Sequence, residues 1–324
     1  MHSKLSFLNN LLKGFKMKVF EIVTVGHFAI DYIVLPRLGI VSQSLGGSPT
    51  FVSIAARKLD AQVGVISKVG GDFPNNYIKL LRSDKVDLFG VRKVKSVSTT
   101  SFVIKYVNEY RRLLLKSRAP PILQEDVPPM FKAKIIHVAP IVGEISFEVI
   151  EELRKKADML SLDPQGLLRK LDSNGRVSLK KLVDRRVLEQ IDIYKSSLQE
   201  IRKIARSRSL EASMKEIHDL GTRIVIVTLG RKGSAILFDE MFRRIPAIQP
   251  KELIDPTGAG DVFAGAFLAE YLNNKDPMWC ACVGSAMSSF KVATAGPLFH
   301  AEKEAVYSLA ERLHDECMQT ETHN

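Results

Sequence analysis

The sequence has 324 residues, of which 45% are apolar and 26% charged, as is typical of a soluble globular protein with a substantial core. No apolar run reaches the roughly 18 residues that a membrane-spanning helix needs, so no membrane association is expected. The net charge of +11 suits nucleic-acid binding or attraction of anionic nucleotides, but basic clusters without interleaved aromatic residues favour solvated helix faces and no nucleic-acid partner.

The first sixteen residues and the cysteines bear on location. Residues 1–16 are basic and weakly amphipathic and lack a signal-peptide core, so we interpret them as a loosely held N-terminal extension or the result of a misplaced start codon. Cys280, Cys282 and Cys317 form no disulfide framework. An odd count without such spacing indicates a reducing compartment, and we expect a cytoplasmic protein.

From residue 17 onward, strand-like runs alternate with helical stretches. The runs predicted as strands are 19–26, 64–70, 134–139, 159–163, 191–195 and 224–229. The helical stretches, with a hairpin at 233–248 among them, are 51–59, 147–156, 262–271, 278–294 and 301–315. This alternation predicts one α/β domain over 17–324, with a mostly parallel sheet covered by helices on both faces.

Two segments interrupt the alternation. Residues 31–43 and 99–122 are strand-like, with Thr, Val and Tyr alternating with polar residues. Such pieces have no obvious place in the centre of a parallel sheet, and we interpret them as a small separate β-sheet that forms a lid. The alternative is a surface β-ribbon without a mechanistic role.

The strongest functional signal is Asp-Pro-Thr-Gly-Ala-Gly-Asp at residues 255–261, ahead of an apolar helix. Gly258, Ala259 and Gly260 would occupy the first helical turn, where unpaired N–H groups and the helix dipole favour an anion. Asp261 would face that anion and could be the base that orients an attacking hydroxyl. Alternatively, Asp261 is an N-cap and the glycines form a tight turn. The whole heptapeptide favours phosphoryl transfer.

Two other signals are weaker. A Thr-x-Gly-x-x-Gly run at a strand end would present backbone amides to a nucleotide, although β-hairpins use similar glycines; its residues are Thr228, Gly230 and Gly233. Nearer the start, a carboxylate and a glycine turn could bind the hydroxyls of a polyol; the residues concerned are Asp31, Gly46, Gly47 and Ser48.

Together, and in this order, these segments resemble the ribokinase/PfkB family of carbohydrate and nucleoside kinases over nearly the whole chain. The resemblance implies a Rossmann-like domain with a β-lid, ATP and Mg²⁺ as cofactors, and in many members a homodimer through lid strands. It implies that Asp261 is the catalytic base and contacts the acceptor, and that the amides of Gly258, Ala259 and Gly260 form the anion hole. It also places the acceptor at Asp31 and Gly46-Gly47, although Thr50 departs from the asparagine that many members carry after the paired glycines.

Further positions are implied by the same resemblance. Thr228, Gly230 and Gly233 fall where the family binds the nucleotide, and Ser289 lies in the region that packs the adenine. Many members carry an Asn-x-x-Glu element that supports the hydration shell of magnesium. Here the element begins at Ser197, which makes Lys195 a candidate nucleotide ligand and Glu200 a candidate near the metal, or else a solvent-facing helix residue.

Within the family, three segments resemble the inositol kinases. These are 163–169 with Asp163 and Arg169 flanking the site, the lid segments 99–102 and 112–122, and the loop 141–145. Arg169 would lie near the transferring phosphate or would cap a helix. We therefore expect a polyol kinase acting on myo-inositol. The alternatives are a nucleoside kinase, a sugar-phosphate kinase using Arg111 and Arg112, and a non-catalytic ligand-binding protein, which would not need Asp261.

Overall fold

The computed structural model describes residues 17–35, 39–107, 110–250 and 252–321. The predicted N-terminal extension at 1–16 lies outside these residues, and the boundaries of the single domain stay a prediction. The strands are β1 Lys18–Val25, β2 Ala29–Leu35, β3 Ile40–Gly46, β4 Val63–Gly70, β5 Asp87–Val94, β6 Ser101–Val107, β7 Tyr110–Ser117, β8 Phe131–Val138, β9 Ala157–Leu162, β10 Arg169–Leu171, β11 Val177–Leu179, β12 Ile193–Ser197, β13 Ile224–Thr228, β14 Ser234–Phe238 and β15 Met241–Ile245. The helices are α1 Ser48–Lys58, α2 Asn75–Ser83, α3 Phe147–Arg154, α4 Gln165–Leu168, α5 Leu198–Ile204, α6 Leu210–His218, α7 Ala259–Tyr271, α8 Pro277–Val292 and α9 Lys303–Glu321.

The main sheet has nine strands in the order β15-β14-β13-β12-β9-β8-β1-β4-β5. Within this order, the seven strands β13, β12, β9, β8, β1, β4 and β5 pair in parallel, and β14 and β15 add an antiparallel edge. The predicted mostly parallel sheet is confirmed. Strand β5 and helix α2 were not predicted, because β5 is a half-exposed edge strand with few fully buried side chains. The carboxyl ends of the parallel strands meet at one edge, where open α/β folds bind ligands.

Helices cover both faces of this sheet, as predicted. Alternate residues of β1 point to opposite sides: Ile22 packs with α1, α7, α8 and α9, whereas Val23 packs with α3, α5 and α6. The basic residues between positions 176 and 186, which we expected on a helix face, flank β11 and continue into a short 3₁₀ helix at Arg185–Gln190, where Arg185 pairs with Glu216. Within the described residues, no helix combines the length and the apolar character needed to span a membrane.

The lid is a separate four-stranded sheet in the order β3-β2-β6-β7, so the small sheet predicted from the sequence is present. Its first two strands reach beyond the predicted 31–43, to Ala29 and Gly46, whereas β6 and β7 lie within the predicted 99–122. The register puts Asp31 opposite Phe102 and Ile33 opposite Ile104. These four side chains therefore share one lid face.

Candidate active site

The catalytic loop, residues 255–261, leads directly into α7. Gly258 is the N-cap and has φ 77°, a left-handed conformation that favours glycine. A Cβ at Gly258 would lie 2.5 Å from the ring of Phe51 in α1, so tight packing also requires glycine. Asp261 lies in the first turn of α7 and not at the cap, so the N-cap interpretation of this residue is wrong. Its carboxylate is at the positive end of the helix dipole.

A buried ion pair holds this loop. The carboxylate of Asp255 accepts hydrogen bonds from the backbone N–H of Thr257 (2.9 Å) and of Gly296 (3.0 Å). Lys291 donates from Nζ to the carbonyl of Asp255 (2.9 Å), and Nζ lies 3.5 Å from its carboxylate. Burial lowers the pKa of Lys291, although Asp255 opposes the shift. The sequence analysis missed Lys291, whose signal was a lysine within the otherwise apolar α8.

A second buried pair adjoins the first turn of α7. Lys195 Nζ lies 2.6 Å from Asp163 Oδ2, and a Cβ at Gly260 would be 2.9 Å from the same Nζ. Burial opposes the charge of Lys195, but Asp163 and then Asp261 outweigh it and raise the pKa of Lys195. Asp163 Oδ1 accepts from the backbone N–H of Gln165 (3.1 Å). Asp163 therefore holds Lys195 against the backbone of the predicted anion hole.

The donor cavity, about 800 Å³, opens between the end of β13, α7 and α8. The cavity is lined by Ala259 and by five of the predicted nucleotide-binding residues: Thr228, Gly230, Gly233, Gly260 and Ser289. Its far wall is apolar and is formed by Ile248, Leu253, Phe263 and Val292. Gly233 has φ 86°, and a Cβ there would lie 2.0 Å from the carbonyl oxygen of Ile245. The Thr-x-Gly-x-x-Gly run thus combines two roles, a hairpin turn and a cavity wall.

Glu200 and Ser197 form a capping box at the start of α5. Ser197 donates to Glu200 Oε2 from its backbone N–H (2.8 Å) and from its hydroxyl (2.7 Å), and it also lines the donor cavity. The serine that replaces the family's asparagine is therefore a helix N-cap. One oxygen of Glu200 is engaged in the cap, and its proximity to magnesium stays a prediction.

The residues predicted to bind the acceptor lie between α1, α4 and the lid, in a region that we call the acceptor half of the cleft. A Cβ at Gly46 would lie 1.9 Å from Asp31 Oδ2, so glycine leaves the space that the carboxylate occupies. Gly47 has φ 88° and ends the turn before α1. Ser48 Oγ accepts a 2.6 Å hydrogen bond from Gln165 Nε2. The predicted residues Asp31, Gly46, Gly47 and Ser48 are thus brought together.

Arg169 connects this half to the lid. Its guanidinium donates to Gln165 Oε1 and to the carbonyl oxygen of Ile141, both at 2.5 Å. It also lies 5.6 Å from the centre of the Phe102 ring. Gln165 therefore bridges Ser48 and Arg169, a role that the sequence analysis did not assign although the residue stands in the quoted segment 163–169.

One lid side chain reaches the catalytic loop. The hydroxyl of Tyr106 in β6 is 2.8 Å from Thr257 Oγ1, and Tyr106 also lines the donor cavity. Neither residue was singled out from the sequence. The lid therefore contacts both halves of the cleft.

Comparison with known proteins agrees with this geometry. The family described as pfkB family carbohydrate kinase matches residues 19–304. The chain belongs to this family. The pfkB resemblance is confirmed, and with it the assignment of the chain as a phosphotransferase of the sugar, nucleoside and polyol kinases.

Several pfkB relatives cover most of the chain. The chain is 30% identical to an inositol 3-kinase of Zea mays over 86% of this chain and 74% of the relative. It is 27% identical to a cytidine kinase of Thermococcus kodakarensis over 82% of this chain and 93% of the relative. A solved pyrophosphate-dependent kinase in the ribokinase family, complexed with a pyrophosphate analogue and myo-inositol, is 26% identical with a TM-score of 0.77, covering 88% of this chain and 99% of that one.

Proposed function

We propose that the protein transfers the terminal phosphate of ATP to a hydroxyl group of myo-inositol. The observation that carries this proposal is the position of Asp261, in the first turn of α7 beside Lys195 and next to Gly260, which lines the donor cavity. Asp261 accepts the proton of the acceptor hydroxyl while the hydroxyl oxygen forms a bond to the terminal phosphorus of ATP. The bond between that phosphorus and the oxygen of ADP breaks, and ADP leaves.

The charge that develops on the transferring phosphate has three sources of stabilisation. The amides of Gly258 and Gly260 lie at the N-terminus of α7, where the Ala259 N–H donates to the carbonyl of Pro256 (3.3 Å). The ammonium of Lys195 lies against the same backbone. Magnesium, when bound, neutralises the donor phosphates; it would be held mainly by phosphate oxygens and water, with Glu200 near the hydration shell. The carboxylates of Glu200 and Asp261, which both act on the charge of Lys195, are oxygen donors of the kind that this ion prefers.

A nucleotide fits the donor cavity better than pyrophosphate, the donor of the structural relative. The cavity of about 800 Å³ continues past Gly260 to the apolar side chains of Ile248, Phe263 and Val292. Volumes of this size suit a ligand with a ring system, and pyrophosphate has no apolar part to cover such a wall. We therefore infer a nucleoside triphosphate, with ATP as the proposed donor.

The acceptor half suits a cyclic polyol. The carboxylate of Asp31, Ser48, Gln165 and Arg169 supply directional hydrogen-bonding groups at the same end of the cleft. A ring that carries hydroxyls on every carbon needs such a set. The inositol 3-kinase relative and the myo-inositol complex of the structural relative support the same acceptor.

A nucleoside is the second candidate. The side chains of Phe102 and Ile104 share the lid face with Asp31 and could cover a base, and two further relatives are named cytidine kinase and nucleoside kinase. A sugar phosphate has less support. In the lid register, Arg112 lies opposite Lys105, and Lys105 lies opposite Val34. Val34 and Asp31 are on opposite faces of β2, so Arg112 projects from the lid face that does not carry Asp31. The side chain of Arg111 lies outside the described residues.

A substrate panel tests the proposal. The enzyme is assayed with magnesium and either ATP or pyrophosphate, against myo-inositol, cytidine, ribose and fructose 6-phosphate. We expect the highest kcat/KM for ATP with myo-inositol. A preference for cytidine would transfer the proposal to the nucleoside candidate, activity with pyrophosphate alone would overturn the donor, and tight binding without turnover would favour a ligand-binding protein.

A further inference from the structure

Four backbone segments join the lid to the main sheet within the described part of the chain. They are residues 26–28 between β1 and β2, residue 47 between β3 and α1, residues 95–100 before β6, and residues 118–121 after β7. The orientation of the lid over the cleft depends on how these segments are fixed relative to one another. His27 lies in the first segment and contacts the other three.

The contacts of His27 use both ring nitrogens and the backbone. Nε2 is 3.0 Å from the carbonyl oxygen of Pro120, and Nδ1 is 2.9 Å from Thr100 Oγ1. A Cβ at Gly47 would lie 2.3 Å from the His27 carbonyl oxygen, so this segment packs directly on the His27 backbone. The His27 N–H donates to the buried carboxylate of Glu144 (3.0 Å).

The partners determine the form of the ring. A carbonyl oxygen only accepts, so Nε2 carries the proton and donates to Pro120, and Nδ1 accepts from the Thr100 hydroxyl. The Thr100 oxygen in turn accepts from the backbone N–H of Ala119 (3.0 Å). Burial lowers the pKa of His27, which agrees with a neutral ring. Every polar atom of the imidazole is therefore committed to a lid segment.

We propose that His27 is a positioning residue for phosphoryl transfer. Its contacts connect the four segments, and they therefore fix the position of the lid relative to the acceptor site. Asp31 and Phe102, three and two positions from the nearest connecting segments, are the residues whose placement depends on His27. The link to catalysis rests on the proposed function, whereas the effect on the lid does not.

Three variants at one position separate the two hydrogen bonds. His27→Ala removes both. His27→Asn keeps an acceptor near Thr100 but is too short to reach Pro120, and His27→Gln keeps a donor toward Pro120. Thr100→Val removes the same contact from the other side, and Thr100→Ser is its matched control; this pair keeps the test available if a His27 variant fails to fold.

Hydrogen–deuterium exchange measures the lid without any substrate. In His27→Ala and Thr100→Val we expect amides of β2 and β6 to exchange about thirtyfold faster, the effect of losing two buried hydrogen bonds, with β1 and β8 unchanged. His27→Asn, His27→Gln and Thr100→Ser should fall closer to the wild type. Equal acceleration in both sheets, or none in either, would overturn the proposal.

Kinetics then test the catalytic consequence. With ATP and myo-inositol, His27→Ala should raise the KM for myo-inositol about tenfold and change the KM for ATP by less than about twofold. An equal rise of both KM values would contradict a lid-specific role. If myo-inositol is not turned over by the wild type, the proposed function fails, and the exchange measurement still decides the role of His27.

Discussion

The two halves of the cleft are fixed by different kinds of contact. Around the donor cavity, Lys291 and Lys195 are each paired with a buried aspartate, and glycines hold the backbone against neighbouring residues. Over the acceptor half, the contacts made by Tyr106 and by the His27 ring are neutral hydrogen bonds. Charged groups there bond the backbone of the connecting segments, as Glu144 does with the His27 N–H and Lys68 with the carbonyl of Pro121. Breaking a buried ion pair costs about 3–5 kcal/mol, whereas one neutral hydrogen bond contributes about 1 kcal/mol.

We expect the donor half to tolerate less change than the lid, because a substitution in either buried pair leaves a charge without its partner. The lid can shift at low cost, and its inner face can be altered one side chain at a time. Relatives at 25–30% identity carry the names cytidine kinase, ATP-dependent 6-phosphofructokinase and inositol 3-kinase. The following predictions test whether the two halves differ as described.

The largest effect is expected at the base. Asp261→Asn keeps the shape of the side chain but cannot accept the hydroxyl proton, so kcat should fall by about 10²–10⁴. Binding of ATP, measured by calorimetry, should change by less than about twofold, because the cavity and its amides remain. Retention of most of the wild-type kcat would remove Asp261 from the mechanism.

Lys291→Met tests the rigidity of the donor half. The variant leaves the Asp255 carboxylate buried beside an apolar side chain, and the free energy of unfolding should fall by about 3–5 kcal/mol in denaturant titrations. Lys155→Met, which breaks the exposed pair with Glu152 on α3, is the control and should cost less than about 1 kcal/mol. Similar losses in the two variants would show that burial does not distinguish the donor half.

His137 in the central strand β8 should make the stability of the whole fold sensitive to acid. Burial, and then the charge of Lys195, lower the pKa of His137 to about 3. The unfolded chain, with a pKa near 6.5, binds a proton as the pH falls below that value, and the folded chain does not, so stability is lost on acidification.

Between pH 7 and pH 5, His137 should lower the free energy of unfolding of the wild type by about 2 kcal/mol. The variant His137→Gln should lack this part of the pH dependence. The measurement is the unfolding free energy of both proteins at the two pH values. The same pH dependence in both proteins would show that His137 titrates normally.

The smallest effect is expected at the lid. Tyr106→Phe removes the hydrogen bond to Thr257 and should lower kcat/KM by about three- to tenfold, equivalent to roughly 1 kcal/mol. Thr257→Val should act similarly, and the double variant should be no worse than the more impaired single one. Additive losses would mean that the two hydroxyls do not act as a pair.

The sequence by itself determined the parts of the protein that depend on neighbouring residues. The heptapeptide at 255–261 contains its own glycines, helix start and carboxylate, so an anion site and a base can be predicted from the segment alone. The alternation of strands and helices predicts the main sheet for the same reason, since period and strand ends are local properties. The lid was recognised because its segments break that period.

Only the tertiary structure decided the contacts between distant residues. Lys291 lies 36 positions from Asp255, Tyr106 lies 151 positions from Thr257, and His27 meets Thr100 and Pro120 after 73 and 93 positions. The face from which Arg112 projects depends on strand register, and a shift of one residue would reverse it. Such pairs are set by strand pairing and crossing connections, and neither leaves a pattern within a single segment.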